Sequence, residues 1–103
     1  LNRGTLKSFQ SLPKTHQKAF SLIKKTICEL LGYKANVYVF GSFFWGMWDE
    51  NSDYDVLLDY IPNNGKIDYR FEVVKVVKEI MKNKYGINVD IITIKSESGI
   101  LIP

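Results

Sequence analysis

The chain has 103 residues, 14 of them Lys or Arg and 11 Asp or Glu, giving a net charge of +3 and a pI near 9.0. Apolar residues make up 46% and aromatics 14%, which excludes a disordered chain and predicts one globular domain spanning residues 1–103, with its core in about 13–95. Apolar runs fall far short of the roughly 20 residues a membrane span needs, and the single cysteine, Cys28, cannot form an internal disulfide, so a cytoplasmic protein without membrane association is expected.

Residues 1–12 show little periodicity. Pro13 suits a first helical turn, and Phe20, Ile23, Ile27 and Leu30 then recur at helical spacing as far as Gly32, with Cys28 and Leu31 widening the stripe. This predicts a helix over 13–31 with Lys18, Lys24 and Lys25 facing water. Residues 36–40 read as a strand ending at Gly41, residues 42–48 as a turn of helix, and 49–52 as a polar turn. A second strand over 53–60 would place Asp53, Asp55, Leu57 and Asp59 on one face and Tyr54, Val56 and Leu58 on the other.

Pro62-Asn63-Asn64-Gly65 signals a loop, and Asp68 a helix cap. The helix over 68–85 would carry Phe71, Val74, Val77 and Met81 along one face, with Val73 and Ile80 beside them. Gly86 stops it, and 87–94 reads as a third strand. A long helix between the second and third strands makes them parallel neighbours. The expected fold is a small α/β (α+β) domain, a mixed sheet with helices packed on one side. The chain closes on Ile100, Leu101 and Ile102. These are expected to pack back on the domain, to meet a partner, or to lead into further chain.

Three features converge on one chemistry. Gly41-Ser42, between a strand and a helical turn, lets backbone N–H groups approach phosphate oxygens. Asp53 and Asp55 are spaced two apart on a strand and aim two mutually repelling carboxylates at one spot, which suits Mg²⁺. Asp90, alone in the apolar run Val89-Asp90-Ile91-Ile92, would complete a three-carboxylate cluster from a neighbouring strand. Two metal ions held in this way activate a hydroxyl and neutralise a leaving pyrophosphate. Read singly, Ser42 is also a candidate helix cap and the acids solvated strand residues.

Gly41-Ser42, ten residues, Asp53-Tyr54-Asp55, and later Asp90 among apolar residues together resemble the DNA polymerase β-like nucleotidyltransferase superfamily. The shortness of the chain resembles the minimal nucleotidyltransferases, small prokaryotic proteins often paired as antitoxins with a HEPN-type RNase. The resemblance covers about residues 15–95 and implies the polymerase β-like fold. It implies that Gly41 and Ser42 hold a triphosphate, ATP or another, and that Asp53, Asp55 and Asp90 ligate Mg²⁺. Asp90 would also help deprotonate the attacking hydroxyl. Gly46 matches a second glycine close to the nucleotide, and Ser52 the serine before the aspartate pair. Phe43 stands where many members carry a basic residue.

The expected activity is transfer of a nucleotidyl group, AMP foremost, to a hydroxyl. The resemblance makes a tyrosine on a HEPN-type partner the leading acceptor, with RNA or a small molecule as alternatives. The alternative from another class is a non-catalytic module that neutralises its partner by contact. Phe43, Phe44, Trp45 and Trp48 are expected as core and pocket wall. Lys75, Lys78 and Lys82 form a basic stripe, read either as a solvated face or as a landing surface for RNA or an acidic partner. His16 is expected at the surface without a partner.

Overall fold

A computed structural model describes residues 3–32, 34–59, 69–93 and 98–103. The loop expected at Pro62–Gly65 and the cap expected at Asp68 lie outside the described residues. A 3-10 turn at Phe9–Ser11 precedes α1 (Lys14–Leu31), β1 (Asn36–Val39), α2 (Gly41–Trp45), β2 (Tyr54–Asp59), α3 (Arg70–Tyr85), β3 (Val89–Ile92) and β4 (Ile100–Leu101). The strands form a mixed sheet in the order β3-β2-β1-β4. β1 runs antiparallel to both β2 and β4, while β2 and β3 are parallel, as the long crossover through α3 requires. Among the described residues, no helix is long and apolar enough to cross a membrane.

The strand alternation sorts the sheet into two faces. Val37, Val39, Val56, Leu58, Val89 and Ile91 are buried in one core with Phe20, Ile23 and Ile27 of α1 and Val73, Val77 and Met81 of α3. The aspartates lie on the opposite face. Both long helices stop where expected, at Gly32 and Gly86, each in the left-handed conformation that glycine adopts without strain.

The buried rows differ in phase from the sequence reading. In α3 the row is Val73, Val77 and Met81, a straight i, i+4 line, and Phe71 is 68% exposed. In α1, Leu30 is exposed and Cys28 half-buried. Both terminal segments contribute more than expected. Phe9 and Leu12, in the unpatterned leader, belong to the core. The apolar tail packs back on the domain: Ile102 is fully buried, its N–H donates to Val37 O at 2.9 Å, and its carbonyl accepts from Lys24 Nζ at 2.8 Å. Lys24 therefore ties the tail down instead of facing only water.

Candidate active site

The register of β2 against β3 decides the geometry of the acids. Asp55 pairs directly with Asp90, so the two side chains leave the same face of adjacent strands, roughly 4.8 Å apart at the backbone. Asp53 precedes β2 by one residue and is exposed. Across β2 on the other side, Phe40 N–H donates to Asp55 O at 2.9 Å, and the chain then turns into α2. Gly41 has φ +64° and lies against the Asp55 carboxylate: a Cβ there would sit 2.0 Å from Asp55 Oδ2. Only glycine fits, both for conformation and for space. The Ser42 backbone N–H donates to the Asp55 carboxylate. Ser42 is not the helix cap; Phe40 holds that position.

The result is a row across the sheet: Gly41-Ser42, then Asp55, then Asp90. Partial burial, Asp90 and Asp53, in that order of weight, push the Asp55 carboxyl above its ordinary range, and the Ser42 N–H opposes them. The row continues onto α3, where Lys78 Nζ lies 3.9 Å from Asp90 Oδ1. Asp53, Asp90, Lys78, Lys82 and Asn88 line an open cleft of about 290 Å³. The sequence reading treated the two lysines as part of a stripe. Their place beside the acids depends on how α3 returns to β3, which spacing alone does not reveal.

The donor set fits Mg²⁺ in a particular way. Among the described residues no three His, Cys, Asp or Glu side chains gather closely enough to enclose an ion unaided. Mg²⁺ commonly takes one or two carboxylates and completes its shell with water and substrate phosphate. Asp55 and Asp90, in register and mutually repelling, offer that open arrangement, with Asp53 at the mouth.

Two other expected contributors lie elsewhere. Gly46 is tightly packed, but its close neighbour is the Gly4 backbone, where a Cβ would come within 2.1 Å of Gly4 O. It lines a different hollow, of about 480 Å³, together with Arg3, Phe43 and Trp48. Ser52 closes the polar turn: its Oγ accepts from Asp49 N at 2.8 Å, and its own N–H donates to Asp49 O at 3.2 Å.

Phe43 is 1% exposed and stacks between Trp48 at 5.1 Å and Tyr54 at 5.0 Å. Phe20 meets Phe43 and Tyr54 edge-on. Arg3 covers the outer ring, with its guanidinium 3.9 Å from the Trp48 centroid. His16 belongs to this column, contrary to expectation: Nδ1 lies 2.7 Å from the Tyr54 hydroxyl, and its ring packs on Phe43 and Trp48. Burial, and then Arg3, push its pKa down. Trp45, by contrast, is half exposed.

The model of the nucleotidyltransferase domain family matches residues 21–99, which contain every element of the acidic row. The chain belongs to that family. A nucleotidyltransferase domain accounts for the four-stranded mixed sheet with helices packed on it, and it brings nucleotidyl transfer as the general role. A search of curated proteins and of solved structures gives no match to the chain.

Proposed function

We propose that this domain transfers a nucleotidyl group, AMP from ATP foremost, to an acceptor hydroxyl in a Mg²⁺-dependent reaction. The observation that carries this reading is the row itself: Asp55 in register with Asp90, and Gly41 pressed against the Asp55 carboxylate. Gly41 leaves no side-chain bulk beside the acids, which suits the close approach of a triphosphate to the turn. Asp55 and Asp90 would hold the metal, with Asp53 at the mouth of the site and water and substrate phosphate completing the shell, and the metal would supply charge neutralisation for the transferring phosphoryl group. The acceptor oxygen forms a bond to the α-phosphorus, the bond from that phosphorus to the bridging oxygen breaks, and pyrophosphate leaves. The hydroxyl proton passes to Asp90, which lies on the strand beyond Asp55 from Gly41. The raised pKa of Asp55 supports the reading, because a fold has no structural reason to hold repelling carboxylates together.

Two features of the sequence suit a contact-only module: Phe43 in place of a basic residue, and the apolar tail. Phe43 is a core residue and Ile102 is buried in the domain, while Leu101 of the tail is 47% exposed, so the tail is held mainly by its own domain. The test is incubation with each α-labelled triphosphate and Mg²⁺, offering a HEPN-type protein with an accessible tyrosine, RNA and small hydroxyl compounds in turn. The reading expects label on one acceptor, abolished by Asp53→Ala/Asp55→Ala. Wild-type protein that labels nothing while still binding a partner would overturn it in favour of a contact module.

A further inference from the structure

One face of α3 repeats at spacings of four and three: Phe71, Lys75, Lys78, Lys82 and Tyr85. These positions fall on a single stripe of a helix. All five are exposed, Phe71 at 68% and Tyr85 at 42%. The buried row of the same helix, Val73, Val77 and Met81, faces elsewhere, so the two aromatics are not spill-over from the core. Each ring also carries a cation beside it, Arg70 over Phe71 and Lys84 over Tyr85, both 5.3 Å from the centroid, so the stripe joins aromatic and basic groups along its whole length. The stripe is also anchored to the site. Lys78 pairs with Asp90, and Lys78 and Lys82 line the cleft that contains Asp53 and Asp90.

We infer that this face of α3 binds single-stranded nucleic acid and delivers its terminal hydroxyl to the acidic row as the acceptor. The inference rests on the nucleotidyl-transfer reading for its chemical step. In-line displacement places the attacking oxygen opposite the leaving pyrophosphate. With the triphosphate at Gly41-Ser42, the acceptor side is that of Asp90, and the group beyond Asp90 is Lys78. Lysines about one helical turn apart track a phosphate backbone, and exposed rings stack bases without sequence preference. The transfer is the one already written, with a strand's terminal hydroxyl oxygen joined to the α-phosphorus and pyrophosphate released.

The experiment has two arms on the full chain. Anisotropy of a labelled single-stranded oligoribonucleotide, without nucleotide or metal, reads binding alone and so stands or falls independently of catalysis. Phe71→Ala and Lys75→Glu lie outside the acidic cleft and on the solvent face, so folding is retained. Each is expected to weaken binding by about tenfold, and Lys75→Glu to reduce the slope of log affinity against log salt by about 0.7. In the second arm, α-labelled triphosphate and Mg²⁺ are expected to label RNA with a free terminal hydroxyl and not RNA with a blocked end. Absence of RNA binding, or binding indifferent to both substitutions, overturns the inference. So does label that passes to a protein tyrosine equally well in wild type and Lys75→Glu.

Discussion

Tyr54 and Asp55 are neighbours on one strand, and they face opposite demands. On the Tyr54 side, Trp48, Phe43 and Tyr54 stack in a column flanked by Phe20 and His16, and apolar contact satisfies almost every group. On the Asp55 side, carboxylates are held in register although their charges repel and one carboxyl is pushed upward. The aromatic side stabilises the fold. The acidic side costs stability, and it is interrupted at Leu57, two residues on, which is already buried. A strand alternates its faces, so the packing of Tyr54, Val56 and Leu58 fixes the direction in which Asp55 points.

The largest effect on folding is expected from breaking the column. Phe43→Ala should cost about 3–5 kcal/mol, read as a lower denaturant midpoint. Phe43→Arg, which places a basic residue directly after the Gly-Ser pair, should cost at least as much and should not raise transfer. A stable and more active Phe43→Arg would contradict the account of the column. Next comes the junction of the two sides. Gly41→Ala forces a Cβ onto the Asp55 carboxylate at a positive φ, and the conformation alone is expected to cost about 1–2 kcal/mol. Transfer should fall by roughly a hundredfold, since the carboxylate must move.

A smaller effect has the opposite sign. Asp55 has a raised pKa in the folded state, so the folded chain binds its proton more tightly than the unfolded chain does. Its favourable contribution is complete below the unfolded value of about 3.9 and is lost as pH rises through the folded value. At neutral pH, Asp55→Asn is therefore expected to raise the melting temperature by roughly 2–4 °C, discounted for partial solvent exposure. That gain should vanish in acid.

The smallest effect concerns His16, whose pKa is depressed. Its contribution is complete above about 6.5 and is lost as pH falls through the folded value. His16→Phe should flatten stability against pH on the acid side of neutrality. An unchanged profile would mean that burial and Arg3 do not hold the ring in its neutral form.

The two sides were not equally legible in sequence. The acidic row was readable because it depends on strand alternation and on the crossover rule. Asp53 and Asp55 announce a shared face, and a helix between two strands makes them parallel, which puts Asp90 on the neighbouring strand, whereas its register directly opposite Asp55 comes only from the structure. The column was less legible because His16 meets Tyr54 across 38 positions, and no periodicity encodes such a contact. The terminal strand was missed for the same reason: β4 is two residues long and earns its place by pairing with β1 and burying Ile102. In α3 the heptad-like repeat of Phe71, Lys75, Lys78, Lys82 and Tyr85 was present in the sequence. Helical spacing alone groups Phe71 with the core row, because an isolated helix does not declare which of two adjacent stripes meets the sheet.

The most direct measurement is α-label transfer by wild type and Asp55→Asn at equal concentration and saturating Mg²⁺, with the melting temperature of each taken in the same buffer. The account predicts a variant that melts higher and transfers at least about a thousandfold more slowly, because loss of metal-assisted charge stabilisation is worth several kcal/mol in the transition state. A variant that keeps wild-type transfer would contradict it and remove the acidic face from the chemistry.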